Sequence, residues 1–102
     1  MHLVQILLPL FDNAGKAFPD RKYRDVTHEL TDRFGGVTAY TRAPAEGRWQ
    51  DDADRVRHDD IVVLDTMVER LDRSWWAAYR VALQATFEQD EIVVRAMPIE
   101  KL

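Results

Sequence analysis

The chain has 102 residues, 46% of them hydrophobic and 31% charged, with a formal net charge of −4 and no cysteine. That length and balance suit one folded domain with one core, residues 1–102, and exclude a disordered chain. The missing thiols exclude disulfide frameworks, zinc–thiolate sites, iron–sulfur clusters and cysteine nucleophiles, and the acidic balance argues against general nucleic-acid binding.

The opening segment Met1-His2-Leu3-Val4-Gln5-Ile6-Leu7-Leu8-Pro9 is apolar but short, without a basic leader or small-residue cleavage site. It reads as a first strand from about Leu3 to Leu8, ended by Pro9, rather than as a signal peptide. No apolar run approaches the ~18–20 residues that cross a bilayer. With no cysteine as well, the expected location is the cytoplasm, away from membranes. Asp12, Asn13 and Gly15 then supply turn chemistry. Pro19 suits the first turn of a helix. Tyr23, Val26, Leu30 and Phe34 recur on its apolar stripe, and Glu29 and Arg33 form a solvent-side pair four residues apart. Gly35-Gly36 stops this helix through a left-handed cap.

Val37 to Arg42 reads as a second strand and Ile61 to Val68 as a third. They are joined as a long hairpin whose tip is broken by Pro44 and Gly47 and carries Asp51, Asp52 and Asp54. A second helix begins near Asp72, a good N-cap. Its broad stripe is Trp75, Trp76, Tyr79, Ala82, Leu83, Thr86 and Phe87. Ile92 to Met97 closes the chain as a fourth strand, ended by Pro98.

The resulting order, β-α-β-β-α-β, is the split βαβ arrangement of the ferredoxin-like α+β class. Right-handed crossovers place both helices on one face of a four-stranded antiparallel sheet, with strand order 4-1-3-2. Period-two sorting puts Val4, Ile6, Leu8, Val37, Ala39, Val62, Leu64, Thr66, Val68, Ile92, Val94 and Ala96 beneath the helices. The opposite face mixes Leu3, Leu7, Tyr40, Ile61, Val63, Met67, Val93 and Met97 with Gln5, Thr38, Arg42, Asp65 and Arg95. A half-apolar face of this kind is normally covered, most often by a second copy of the chain. Its charged groups are then either ion pairs of a self-interface or the lining of a cleft for a small polar or anionic ligand, since guanidinium matches carboxylate and phosphate.

His2 and His28 read as solvated. His58, followed by Asp59 and Asp60, is a candidate general base, because a nearby carboxylate orients and charges an imidazole. Glu46, beside Gly47 and Trp49, is a second proton-transfer candidate, with Trp49 as a flat pocket wall. The plainer explanations are a loop histidine and a β-bulge. The hairpin-tip aspartates lack calcium-loop spacing and are interleaved with Arg48, Arg55 and Arg57, so no metal site is assigned. The single serine, Ser74, belongs to no triad pattern. No glycine loop for nucleotide phosphates occurs, and no cofactor is assigned. Trp75 and Trp76 belong to the core and its edge.

Four runs, Arg33 to Tyr40, Ala45 to Trp49, Asp59 to Val63 and Phe87 to Arg95, resemble a family of uncharacterised bacterial proteins of about this length. The resemblance implies a bacterial source and a ferredoxin-like domain; it carries over no activity and no catalytic residue. Two functions remain open at this point. One is a small homodimeric cytosolic binding domain without catalysis. The other is a small-molecule enzyme resembling the dimeric α+β barrels, of isomerase, lyase or cofactor-free oxygenase type. In that enzyme Arg42 or Arg95 would bind an anionic substrate, with Tyr40, Trp49 and Asp65 in the lining, and His58 or Glu46 would move a proton.

Overall fold

A computed structural model describes residues 1–42 and 60–102, with backbone alone for 40–42. The elements are β1 (His2–Pro9), α1 (Asp20–Phe34), β2 (Thr38–Arg42), β3 (Ile61–Val68), α2 (Arg73–Thr86) and β4 (Val93–Pro98). They form one antiparallel sheet in the order β2-β3-β1-β4, the expected 4-1-3-2 read from the other edge. The architecture is the ferredoxin-like α+β arrangement.

The core lies between sheet and helices. Val4, Ile6 and Leu8 of β1, Val62, Leu64 and Val68 of β3, Val26 and Leu30 of α1, and Trp76 and Leu83 of α2 are all buried in it. Phe87, fully buried, sits against Phe18 at 5.1 Å edge-on and against Tyr23 at 5.5 Å. Aromatic rings packed this way add to area burial through the edge-to-face electrostatics of their quadrupoles. Thr66, expected among the apolar inner set, is buried because its hydroxyl donates to the Gly36 carbonyl at 2.6 Å, which removes the cost of an unpaired buried group.

Several boundaries differ from the expectations. Pro9 closes β1 as its last paired residue, in register with Ile61, rather than as the first residue beyond the strand. The next amide, that of Leu10, donates toward β3, to the Asp60 carbonyl. Amide directions alternate along a strand, so the N–H that proline lacks would face the β4 side. There the ladder has already ended at Leu7 and Val93, and nothing is lost. Pro19 stands at the N-cap rather than inside the first turn of α1, in extended conformation. Asp72 caps α2 as expected, its side chain accepting from the Trp75 amide. Gly35 caps α1 at φ 90°, its amide bonded to the Thr31 carbonyl. Ala39 is exposed rather than buried, and α1 makes its main sheet contacts with β3. Ala82 and Thr86 are exposed as well, so the buried stripe of α2 is narrower than the periodicity suggests.

The two helices are joined by a ladder of unlike contacts. Lys22 Nζ donates to the Thr86 carbonyl at the C-terminal end of α2, at 2.6 Å, where a cation also meets the negative end of the helix dipole. Tyr79 donates to Glu29 at 3.4 Å. Arg33 lies 4.3 Å from the Trp75 ring centre, and Phe34 stacks on Trp76 at 5.2 Å. Glu29 and Arg33 thus reach across to α2 instead of pairing with each other. The i,i+4 contact on the solvent side of α1 is His28 to Asp32 at 3.4 Å, with His28 exposed as expected. His2, expected to be solvated, is half-buried within β1.

The end of α2 carries backbone strain. Gln89 donates to the Gln84 carbonyl and Glu88 to that of Ala85, the paired bonds of a Schellman cap. The left-handed position is filled by Glu88 at φ 52°, where a side chain is disfavoured and glycine is not. Glu88→Gly is expected to raise stability by about 0.5–1 kcal/mol in urea denaturation, since no side-chain bond of Glu88 is lost.

Burial pushes the Tyr23 phenol up to about 12 from an ordinary 10.0, with the Asp20 carboxylate adding to the effect. Burial followed by the Glu29 carboxylate raises Tyr79 further. The unfolded chain ionises these phenols first, so their contribution is intact below pH 10 and is lost as pH rises through the folded values. The urea midpoint is expected to fall between pH 10 and pH 12, and Tyr79→Phe should flatten that fall.

Candidate functional site

The antiparallel register aligns side chains across the face that the helices leave open. One transverse row runs Thr38, Asp65, Gln5, Arg95, because Asp65 lies opposite both Thr38 and Gln5, and Gln5 opposite Arg95. The row beside it is Met67, Leu3, Met97. On the other side lie Val63, Leu7 and Val93, with Tyr40 opposite Val63 in the ladder. A polar belt therefore crosses the sheet between two apolar belts. Period two alone assigns each residue to this face; only the register puts the four polar residues in line.

Exposure is uneven along the face. Met67 is 45% exposed, Val93 43% and Met97 37%, whereas Val63 is 3% exposed. Val63 is excluded from the helix-side core cluster, and it is buried on its own side of the sheet. Among the described residues, the exposed apolar surface of this face is thus concentrated on Met67, Met97 and Val93, with Leu3 partly buried between the two methionines.

Arg95 Nε donates to Gln5 Oε1 at 2.9 Å. This neutral acceptor lies between Arg95 and Asp65. Neighbouring strands are about 4.8 Å apart, so two strands of separation set the backbone positions of Asp65 and Arg95 roughly 10 Å apart within one chain. Asp65 also lines a cleft of about 640 Å³ at the β2–β3 end of the sheet, with Leu3, Thr38, Met67, Glu69 and Lys101. Among the described residues, no three His, Asp or Glu side chains converge as a metal-binding group would require.

Of the residues marked out by sequence, Asp65 and Arg95 are brought into the same transverse row. Tyr40 and Arg42 occupy ladder positions opposite Val63 and Ile61. Glu46, Trp49 and His58, together with the hairpin-tip aspartates, lie outside the described residues. Gln5 is the residue that sequence reasoning undervalued. Its signal was present as the one polar side chain in the apolar run from Leu3 to Leu8. Comparison with family models, with curated proteins and with solved structures finds no match for this chain.

Gln5→Leu tests how deeply the belt is buried in the lone chain. At dilutions where the chain is monomeric, water replaces the Gln5 acceptor, and the expected loss is under about 0.5 kcal/mol in urea denaturation. A loss above about 1.5 kcal/mol would place the Arg95–Gln5 pair in a desolvated setting already.

Proposed function

We propose that this chain is a small self-associating binding domain, with the open sheet face as its contact surface. The observation that carries the reading is the pattern on that face: a polar belt flanked by exposed Met67, Met97 and Val93. A two-fold axis lying in the interface along β1 exchanges β3 with β4. It sets Asp65 of one copy over Arg95 of the other, Gln5 over Gln5, and Met67 over Met97. Opposite charges meet, methionine meets methionine, and among the described residues of these two rows no like charges are opposed. Face-to-face sheets pack about 10 Å apart, within reach of an arginine–carboxylate pair. Unbranched thioethers adapt to such contacts, and isologous two-fold pairing is the commonest form of soluble assembly.

In this reading the face is used for association, and the kinship to the bacterial family and the cytoplasmic setting belong to the same proposal. Among the described residues no helix is long and apolar enough to cross a membrane. The catalytic alternative takes its proton-transfer groups from Glu46 and His58, which lie outside the described residues, and it gains nothing from the described geometry.

The test is molar mass by light scattering. Wild type is expected at twice the chain mass of 11.9 kDa. Val93→Glu and Met97→Glu place a charge on exposed positions and are expected to return the mass to 11.9 kDa with unchanged circular dichroism. Val63, buried, is unsuited to this test, because a glutamate there would unfold the sheet. In a background where Asp65→Arg alone splits the pair, Asp65→Arg with Arg95→Asp should restore it. A wild-type mass of one chain at high micromolar concentration would overturn the proposal.

A further inference from the structure

The other side of β4 holds a second feature, which does not depend on self-association. Between α2 and β4 lies a cavity of about 210 Å³, bounded by Val4, Leu71, Trp76, Val94 and Ala96, with Ala77 opposite and Arg73 and Arg80 at its ends. Its origin is visible in the sequence. Arg73, Trp76, Ala77 and Arg80 recur at helical spacing on one face of α2. That face lies over β4, where Ala96 stands beside Val4 in the ladder. Alanines line the cavity on both its helix and its strand side, so the layer is left short of side-chain volume. Ala96 is exposed although it lies on the helix side of the sheet.

The charges around this gap are of one sign. None of the lining residues is acidic. The first and last arginines stand seven residues apart, about 10 Å along the helix axis. Arg80 donates to the neutral Gln84 at 3.2 Å, and among the described residues no acidic group pairs with it. Arg73 is exposed and close to the positive end of the α2 dipole. The nearby Asp72 carboxylate is committed to capping the Trp75 amide at 3.1 Å. Arg95 borders the cavity only through its chain position, because its side chain turns to the other face and meets Gln5. Trp76 is 5% exposed, and its indole N–H is buried without a hydrogen-bond partner among the described residues.

We propose that this cavity binds a small organic carboxylate, its hydrocarbon or aromatic body on Val4, Trp76, Val94 and Ala96 and its carboxylate on Arg73 or Arg80. An apolar cavity of about 150 Å³ accepts a benzene ring, so the volume found here takes a ring with a carboxylate attached. Guanidinium binds carboxylate through two parallel donors. The apolar walls select against inorganic anions, and the arginines select against neutral analogues.

The experiment is a titration of the ¹⁵N-labelled chain with sodium benzoate, and separately with benzyl alcohol, followed through the Trp76 indole and the amides of Ala77 and Ala96. Benzoate is expected to produce saturable shifts at these three sites, with an affinity at least about tenfold above that of benzyl alcohol, as a charge-assisted hydrogen bond supplies. Arg73→Gln with Arg80→Gln should reduce benzoate to the affinity of the alcohol. Ala96→Leu fills the gap without altering charge and should abolish binding of both probes. The proposal is overturned if benzoate gives no saturable shift, if benzyl alcohol binds as tightly as benzoate, or if Ala96→Leu binds benzoate like wild type. The comparison of the two probes on wild type decides the question even where a variant fails to fold.

Discussion

Strand β1 is hydrogen-bonded along both edges, to β3 and to β4, and its inward residues Val4, Ile6 and Leu8 are at most 1% exposed. β3 is also paired on both edges, to β1 and to β2, and its inward Val62, Leu64 and Val68 are buried, but β1 is the strand that joins β3 to β4. The crossover through α1 carries the chain away from β1, and the crossover through α2 returns it to the opposite edge of the same strand. Each element that follows β1 must therefore be placed relative to it. A proline at position 9 is tolerated only because pairing on one edge has already ended there. The apolar alternation of β1 supplies the floor of the core, and its one polar outward residue, Gln5, becomes the centre of the belt on the other face.

The helices are fixed to each other as well as to the sheet. Lys22 on the Thr86 carbonyl, Glu29 with Tyr79, Arg33 over Trp75 and Phe34 on Trp76 form a ladder between antiparallel helices. Most of these contacts involve a charged or aromatic group lying at the rim of the core rather than in it. A cation against an aromatic face and a lysine on free helix carbonyls both retain partial hydration, so they orient the helices without the cost of a fully buried charge. The seam leaves α2 anchored along its α1 side. Its β4 side is filled less well, because Ala77 and Ala96 line the cavity there.

Both candidate binding features follow from the same economy of side chains at β4. As an edge strand, β4 presents Val93, Arg95 and Met97 to one side and Val94 and Ala96 to the other. The open side leaves Val93 and Met97 exposed on either side of the charged Arg95. The helix side has too little volume to close the layer. In the proposed readings, an exposed apolar belt interrupted by polar groups restricts which partner fits, and a small apolar gap bordered by Arg73 and Arg80 restricts which ligand does.

The sequence by itself determined the element order, the helix caps at Gly35 and Asp72, the inner set of β1 and β3 and the mixed character of the other face. These rest on short-range physics: period two, period 3.6, and the backbone preferences of glycine, proline and aspartate. It could not assign Glu29 and Arg33 to α2, because the i,i+4 rule describes an isolated helix and a neighbouring helix offered better partners. Nor could it distinguish Val63, buried, from Met67 and Val93, exposed on the same face, since alternation gives a side but not a depth. The alignment of Asp65, Gln5 and Arg95 into one belt was decided by strand register. The gap between Ala77 and Ala96 was decided by which turn of α2 rests on which residue of β4. Both are relations between segments far apart in the chain, and no local pattern of residues encodes them.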